Sequence, residues 1–509
     1  MSFRVHRVSD EPGERPTRRW TPLLLLIVKI AGPIVSWARA VQQRQQQDER
    51  RARRIGVLKR ILIILIAVLC AFLLLAGLAN ALLGIRILSL DTVFTVAGSD
   101  LPRDDSGDTN VLLLGSGDAS HDGKDLTDTI MVASIDPETE SVLLLSIPRD
   151  LYMLKTEKMG AGRINSLYRD YKGYLKYKED LSEAEASKRA IAELGAEVGR
   201  MLGIDMHAVA KIDFIGFVQA IDEIGGVDVD VPYDIEDVEY PGPDYTFETF
   251  TLPKGSHHLD GETALKYARS RHTTSDFGRS ARQQQLLQAL SEKVRNDGLL
   301  RSAGRITSLL GIIGDHTEST MSTRQIIGLA GLVKGFDHPQ ILSMQLSDRN
   351  GLYDGLPEPG GLLYNPPRDA FEGASVLLPV SIPEFPVTWR QIQLFVDLLQ
   401  THRSVRLGGA SIGIYNAGAK PGLARKLANE LTRFGFPIAN IANADNRDAQ
   451  TSSIRSSGDG GEASAQLLSD LLGIPMVQPS EGALPPSADI YLGKEYVYQP
   501  LQETYQPQP

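Results

Sequence analysis

The stretch TDTIMVASIDPETESVLLLSIPRD, residues 127–150, decides the fold class. It holds two apolar runs of strand length, Thr129–Ile135 and Val142–Ile147, joined through the turn residues Asp136-Pro137-Glu138. Upstream, Asn110–Gly115 (NVLLLG) repeats the pattern between turn residues. Downstream, Ile191, Leu194, Val198 and Met201 or Leu202 recur at helical spacing and predict an amphipathic helix over about 183–202. Phe214–Ile224 reads as a further helix, which Gly225-Gly226 breaks before the alternating strand VDVDV at 227–231. Ser322-Thr323-Arg324-Gln325 is a capping-box pattern opening a helix that runs through Val333. Strands interleaved with helices of this length define a three-layer α/β or an α+β domain.

The Pro/Gly-rich stretch 351–388 reads as a long excursion, Trp389–Leu399 as a helix, and His402–Gly409 as a linker. A change of texture follows. ASIGIYNA from Ala410 reads as a strand, Leu423–Phe434 as a helix, Pro437–Ala442 as a strand, 462–472 as a helix, and Ile490–Leu492 as a last strand. This small α/β module, 408–497, gathers no carboxylates, histidines or hydroxyls in a catalytic pattern, so binding is its default role. Residues 498–509 form a tail.

At 509 residues, with 42% hydrophobic and 23% charged side chains, the chain is mainly globular, which excludes collagenous, wholly disordered and polytopic classes. One cysteine, Cys70, excludes an intrachain disulfide and a cysteine zinc cluster, and the nine histidines show no H-E-x-x-H spacing. The net charge of −10 conceals a split: residues 1–60 carry 14 Lys/Arg against 5 Asp/Glu, leaving −19 on the rest. An acidic body argues against a nucleic-acid partner.

Ile61–Leu83 contains one strongly polar side chain, Asn80. Its length covers about 34 Å as a helix, enough for a hydrocarbon core of about 30 Å. Arg50, Arg51, Arg53, Arg54, Lys59 and Arg60 precede it and only Arg86 follows closely. The positive-inside rule therefore predicts a single-pass cell-membrane anchor. The basic tail 1–60 is cytoplasmic and everything beyond about residue 90 is outside. The apolar run is too long and begins too late for a cleaved signal peptide. Leu23–Val28, closed by Pro33, reads as interfacial.

Three constellations carry possible chemistry. In LGSGDASHDGKDLTDT (114–129), a Walker A loop ending at Gly123-Lys124 fails because Asp118 and Asp125 stand at its required Gly and Ser/Thr positions. A dinucleotide fingerprint fails at Ser120. What remains is a strand ending in carboxylates, Asp118 and Asp128, which are either turn and cap residues or hard oxygen ligands for Mg²⁺. Arg149 and Asp150, at the end of strand 142–147, are either a surface ion pair or a ligand site at a strand C-terminus. Residues 259–283, LDGETALKYARSRHTTSDFGRSARQ, place Arg279, Arg282 and Gln283 on one helical face that continues as Leu286, Leu287 and Leu290. Cations in the first turn of a helix oppose its dipole unless an anion lies between them. With Arg269 and Arg271 they suit a pyrophosphate, since guanidinium forks onto phosphate oxygens; the bland reading is a solvated basic face.

At these residues the chain resembles the LytR-CpsA-Psr family of cell-wall ligases. The resemblance rests on NVLLLG, Thr127-Asp128-Thr129, SIPRD at 146–150, RIN at 163–165, LPKGSHHLDGETALKYARSR at 252–271 and DFGRSARQQ at 276–284. SIGIYNAGAKPGLARKLANEL and the later NAD at 443–445 resemble the C-terminal domain that often follows. The resemblance implies a three-layer α-β-α catalytic domain over 105–400 and a LytR-type domain over 408–497. It implies a phosphotransferase that moves an anionic glycopolymer from a polyprenyl-pyrophosphate carrier in the membrane to a peptidoglycan hydroxyl. Carried over residue by residue, Asp128 and Asp118 hold Mg²⁺ (or Mn²⁺). Arg149, Arg269, Arg271, Arg279 and Gln283 bind pyrophosphate oxygens, with Arg282 supporting them, and Asp128 or Asp150 is the nearest general base. Where many members carry arginines near the two aspartates, this chain has Ala119-Ser120 and Leu126. Two alternatives share the site: a polyprenyl-pyrophosphate hydrolase, and a non-catalytic receptor for lipid-linked polymer.

Overall fold

A computed structural model describes residues 101–118, 123–242, 246–270, 276–296, 303–336, 339–348, 361–380, 388–458, 460–477 and 485–504. The expected basic tail and transmembrane helix lie outside these residues, as does Arg271. Among the described residues no helix is long and apolar enough to cross a membrane. Leu90–Pro509 forms one compact unit.

In chain order the first part has β1 (Thr109–Ser116), β2 (Thr127–Asp136), β3 (Ser141–Ser146), α1 (Ile164–Lys178), α2 (Glu183–Leu202), β4 (Ala208–Asp213) and α3 (Phe214–Glu223). A small all-β insert follows: β5 (Val227–Val231), β6 (Ile235–Pro241), β7 (Phe247–Leu252) and β8 (Gly255–Leu259). Then come α4 (Gly261–Arg269), α5 (Asp276–Asn296), α6 (Ala303–His316), β9 (Thr317–Ser319), α7 (Thr323–Lys334), β10 (Gln340–Gln345) and α8 (Arg390–Thr401). The last part is β11 (Ser411–Asn416), α9 (Leu423–Arg433), β12 (Ile438–Asn443), β13 (Ser453–Ser457), α10 (Gly461–Leu472), β14 (Met476–Val477) and β15 (Ser487–Leu492).

Six strands form a mixed sheet in the order β9-β4-β1-β2-β3-β10. Leu112, Leu114, Ile130, Val132, Leu143 and Leu145 face one core shared with α1, α2 and α8. Met131, Ala133 and Leu144 face the other side, against Leu287 of α5. Both faces are covered, which is why β1 to β3 read as nearly continuous apolar runs rather than alternating ones. The capping box expected at Ser322 forms: Ser322 Oγ accepts from Gln325 N while Gln325 accepts from Ser322 N at 2.9 Å.

The expected linker at 402–409 is instead a short helix, Arg403–Leu407, continuous with the core. Arg403 is 2% exposed and pairs with the equally buried Asp108 at 2.7 Å. Its Nη1 also donates to Ser141. Arg406, on the same short helix, donates to the carbonyls of Phe434 and Gly435 at the end of α9. Burial pulls its pKa down to about 9. Two arginines facing opposite ways thus bolt the sheet β12-β11-β15-β13-β14 to the larger one.

Candidate functional site

The C-terminal ends of β1, β3 and β4 and the N-terminal end of β2 meet at one rim, fixed by the pairings Ser116↔Thr127, Ser116↔Asp213 and Met131↔Ser146. The register slips between Gly115 and Ser116, a bulge of the kind that re-aims side chains beside sites. Asp128 projects from this rim and Asp118 stands two residues beyond β1. Arg149 follows the end of β3, and its Nη1 donates to Asp128 Oδ1 at 2.9 Å. Asp150 lies 4.0 Å from Arg149 Nε and 3.4 Å from Arg163 Nη1.

Asn165, which sequence reasoning left without a role, is the third member. Its Nδ2 donates to Asp128 Oδ1 at 3.3 Å, its backbone N donates to Arg149 O at 3.3 Å, and its own carbonyl accepts from Thr127 Oγ1. With Asn165 at the start of α1, this helix orients both Asp128 and Arg149. Asn165 Oδ1 is buried without a hydrogen-bond partner. Its sequence signal was its place in the RIN motif at 163–165, which carried the family resemblance without assigning the residue a task.

Beneath the rim lies a buried polar network that sequence reasoning also missed. Lys172 binds Asp125 at 3.0 Å and Glu183 at 2.7 Å, so it ties the approach to β2 to α1 and α2. Burial alone would lower the Lys172 pKa, but the hydrogen bonds to Glu183 and Asp125 outweigh it and the net shift is upward. Lys211 of β4 binds Glu318 at 3.2 Å and Ser116 Oγ at 3.4 Å. Tyr168 donates to Glu318, and burial raises its pKa. These partners are far apart in sequence, so no spacing rule could find them.

The basic constellation divides. The Arg269 guanidinium lies 4.3 Å from the Phe214 ring centroid and donates to the Tyr240 hydroxyl at 3.3 Å. Arg279 is 6% exposed in the first turn of α5. Arg282 is 3% exposed and is committed to backbone carbonyls: its Nε donates to Tyr267 O at 2.9 Å and its Nη2 to Ser270 O. A cation there complements the C-terminal end of α4 and thereby positions the Arg269 end of that helix. Gln283 donates to Ala268 O at 3.3 Å, while its neighbour Gln284 ties α5 to Leu144, Ser146 and Met344.

Arg269 and Gln283 also line a cavity of about 320 Å³ between the sheet and helices α3, α5, α6 and α7. The rest of its wall is almost wholly apolar, including Leu113, Met131, Phe217, Leu286, Leu290 and Ile313. Gly115 borders it, and a Cβ there would meet Thr129 Cβ at 3.0 Å.

The divalent ion that the resemblance implies can be tested against the donors present. Among the described residues no group of three or more His, Cys, Asp and Glu gathers as a metal shell. Asp128 is 45% exposed and uses Oδ1 for Arg149 and Asn165, with Oδ2 unbonded among the described residues. One or two exposed carboxylates at a rim fit Mg²⁺, which keeps waters and takes its remaining oxygens from substrate phosphates.

Against this geometry, the model of the LytR_cpsA_psr family matches residues 91–358, more than half the chain, and the chain belongs to that family. A second model, "LytR cell envelope-related transcriptional attenuator", matches residues 409–496. Among curated relatives, the chain is 29% identical over 243 residues to TagV of Bacillus subtilis, named a polyisoprenyl-teichoic acid–peptidoglycan teichoic acid transferase. That match covers 47% of this chain and 56% of that protein. It is 29% identical over 261 residues to the cell wall biosynthesis protein LcpA of Corynebacterium glutamicum, covering 47% of this chain and 48% of the relative. The chain thus spans about half the length of these relatives. The solved structure of B. subtilis TagV aligns at 24% identity and TM-score 0.40, covering 58% of this chain and 98% of that one.

Proposed function

We propose that the chain is a membrane-anchored phosphotransferase that moves an anionic glycopolymer from a polyprenyl-pyrophosphate carrier to a hydroxyl of peptidoglycan. The observation that carries this reading is the juxtaposition of an apolar cavity of about 320 Å³ with cationic and amide side chains at its wall, Arg269 and Gln283. A polyprenyl tail is a long hydrocarbon and a pyrophosphate a compact polyanion. A site for both needs an apolar slot that ends at guanidinium groups. Nucleotides and free sugars need no such slot. The relatives' names, teichoic acid transferase and cell wall biosynthesis protein, point to the same chemistry.

In this reading Arg269, Arg271, Arg279 and Gln283 bind the pyrophosphate, and Arg282 holds the end of α4 that presents Arg269. Arg149 faces the transferring phosphoryl group, oriented by Asp128 and Asn165. The acceptor oxygen attacks the sugar-side phosphorus, the bridging P–O bond breaks, and polyprenyl phosphate leaves. The acceptor proton passes to Asp128 or Asp150, the carboxylates beside Arg149. Such transfer relies on positioning and charge neutralisation. Asp128 and Asp118 would hold Mg²⁺, which would add neutralising charge at the pyrophosphate oxygens.

Incubating the purified protein with a synthetic lipid-pyrophosphate glycan, Mg²⁺ and peptidoglycan fragments tests the proposal. Polymer attached to peptidoglycan supports it. Free phosphorylated glycan would instead indicate a hydrolase, and tight binding without turnover a receptor; either result sinks the transferase reading.

A further inference from the structure

Both helices of the C-terminal module cover the same face of its sheet. α9 crosses from β11 to β12 and α10 from β13 to β14, and β13 runs antiparallel to β15 while β11 runs parallel to it. Right-handed crossovers in opposite lateral directions on oppositely directed strands fall on one side. Ile412, Ile414, Ile454, Ala488, Ile490 and Leu492 are buried beneath those helices. Among the described residues the opposite face carries no helix from this module.

The uncovered face is neither aliphatic nor an ordinary solvated surface. Tyr415 and Tyr491 stand opposite one another on β11 and β15, with Asn440 of β12 and Arg455 of β13 flanking them from the adjacent register row. Asn440 Nδ2 donates to the Tyr415 hydroxyl at 3.4 Å. The Tyr415 and Tyr491 rings stack with centroids 5.0 Å apart and planes 17° from parallel. The Arg455 guanidinium lies 4.5 Å from the Tyr491 centroid. In that adjacent row Asp489 sits opposite Gly413 and Arg455. Beyond it the hydroxyls of Ser457 and Ser487 lie 2.8 Å apart.

We infer that this face is a binding site for an uncharged glycan strand. Sugar hydroxyls both donate and accept, matching the Asn, Arg, Asp, Ser and phenol groups set at strand spacing. These side chains are already ordered by stacking and cation–π contact, so binding costs little side-chain entropy. Charge selects among polymers: Arg455 and Asp489 balance, and residues 408–497 carry seven Lys/Arg against nine Asp/Glu, which disfavours a polyanion. That the glycan is the peptidoglycan acceptor rests on the function proposed above; the binding itself does not.

The test titrates the purified full chain with chitohexaose, an uncharged β-linked N-acetylglucosamine hexamer, by calorimetry or ligand-observed NMR. Saturable binding is expected, weakened about tenfold or more in both Tyr491→Ser and Arg455→Glu. The exposed Arg455 can be changed without disturbing the fold, so an unchanged melting midpoint in Arg455→Glu separates lost binding from unfolding. No binding, equal binding in both variants, or capture of poly(glycerol phosphate) in place of chitohexaose would each overturn the proposal. Chitohexaose binding without glycopolymer transfer would count against the transferase alone; transfer without chitohexaose binding would count against this site alone.

Discussion

Asp128 and Arg149 hold each other at 2.9 Å; Asp128 is 45% exposed and Arg149 also faces Asp150 at 4.0 Å, so removing either partner leaves no unpaired charge in the core. Their substitution should therefore separate activity from stability. Asp128→Ala and Arg149→Ala are each expected to lower transfer by ~10²–10³-fold, the range for lost charge stabilisation in a reacting site. The thermal midpoint should move by only a few degrees. A variant with full activity in the lipid-pyrophosphate assay would mean the site lies elsewhere. Asn165→Ala should cost ~10–100-fold, since it removes orientation and leaves both charges in place. Glu183 makes a different kind of prediction. Hydrogen bonds from Lys172 and Lys176 lower its pKa to about 2, below its ordinary value of 4.5. Its stabilisation is complete above the unfolded value and is lost as pH falls toward 2. Glu183→Gln should flatten that acid dependence, modestly because the side chain is half exposed. Urea midpoints measured across pH 2–6 check this, and an unchanged slope would refute it.

At the scale of elements, strands and helix caps were legible where local chemistry settles them. β1, β2 and β3 showed as apolar runs because both sheet faces are covered, and Ser322 announced α7 because its capping box closes within four residues. The short helix at 403–407 was not legible: its two arginines look like linker charges until Asp108 and the end of α9 are brought to them. Arg403→Ala strands Asp108 in the core, where burial already raises its pKa, and should destabilise the protein by ~3–5 kcal/mol in denaturant titrations. A loss under 1 kcal/mol would contradict the pairing described. The apolar cavity makes a second prediction at this scale. Ala210→Trp adds bulk at its wall and should raise KM for a long-chain prenyl donor ~10-fold or more while sparing a short-chain one. Equal effects on both donors would show that the tail lies elsewhere.

Across the whole molecule, one hydrophobic cluster runs from Leu112 of the large sheet through Phe395 and Leu398 of α8 to Ile414 and Ile490 of the small one. Two domains read from a change in sequence texture therefore share a core. Calorimetry should show residues 90–509 unfolding in a single transition; two resolved transitions would mean that the shared cluster contributes little coupling. The candidate site has the same long-range character. Arg282 looked like part of an anion cluster from its helical face, yet its guanidinium caps α4, and the Lys172 and Lys211 networks join residues too distant for any spacing to reveal.

The mixed α/β class, the family and the identity of Asp128, Arg149 and Arg269 as residues to examine were readable from the chain alone, because periodicity, caps and motifs are local properties. Which arginine lines a cavity and which satisfies carbonyls, where an apolar slot opens, and which sheet face stays uncovered depended on contacts between residues remote in sequence. Burial and partner geometry come into being only when those remote segments meet.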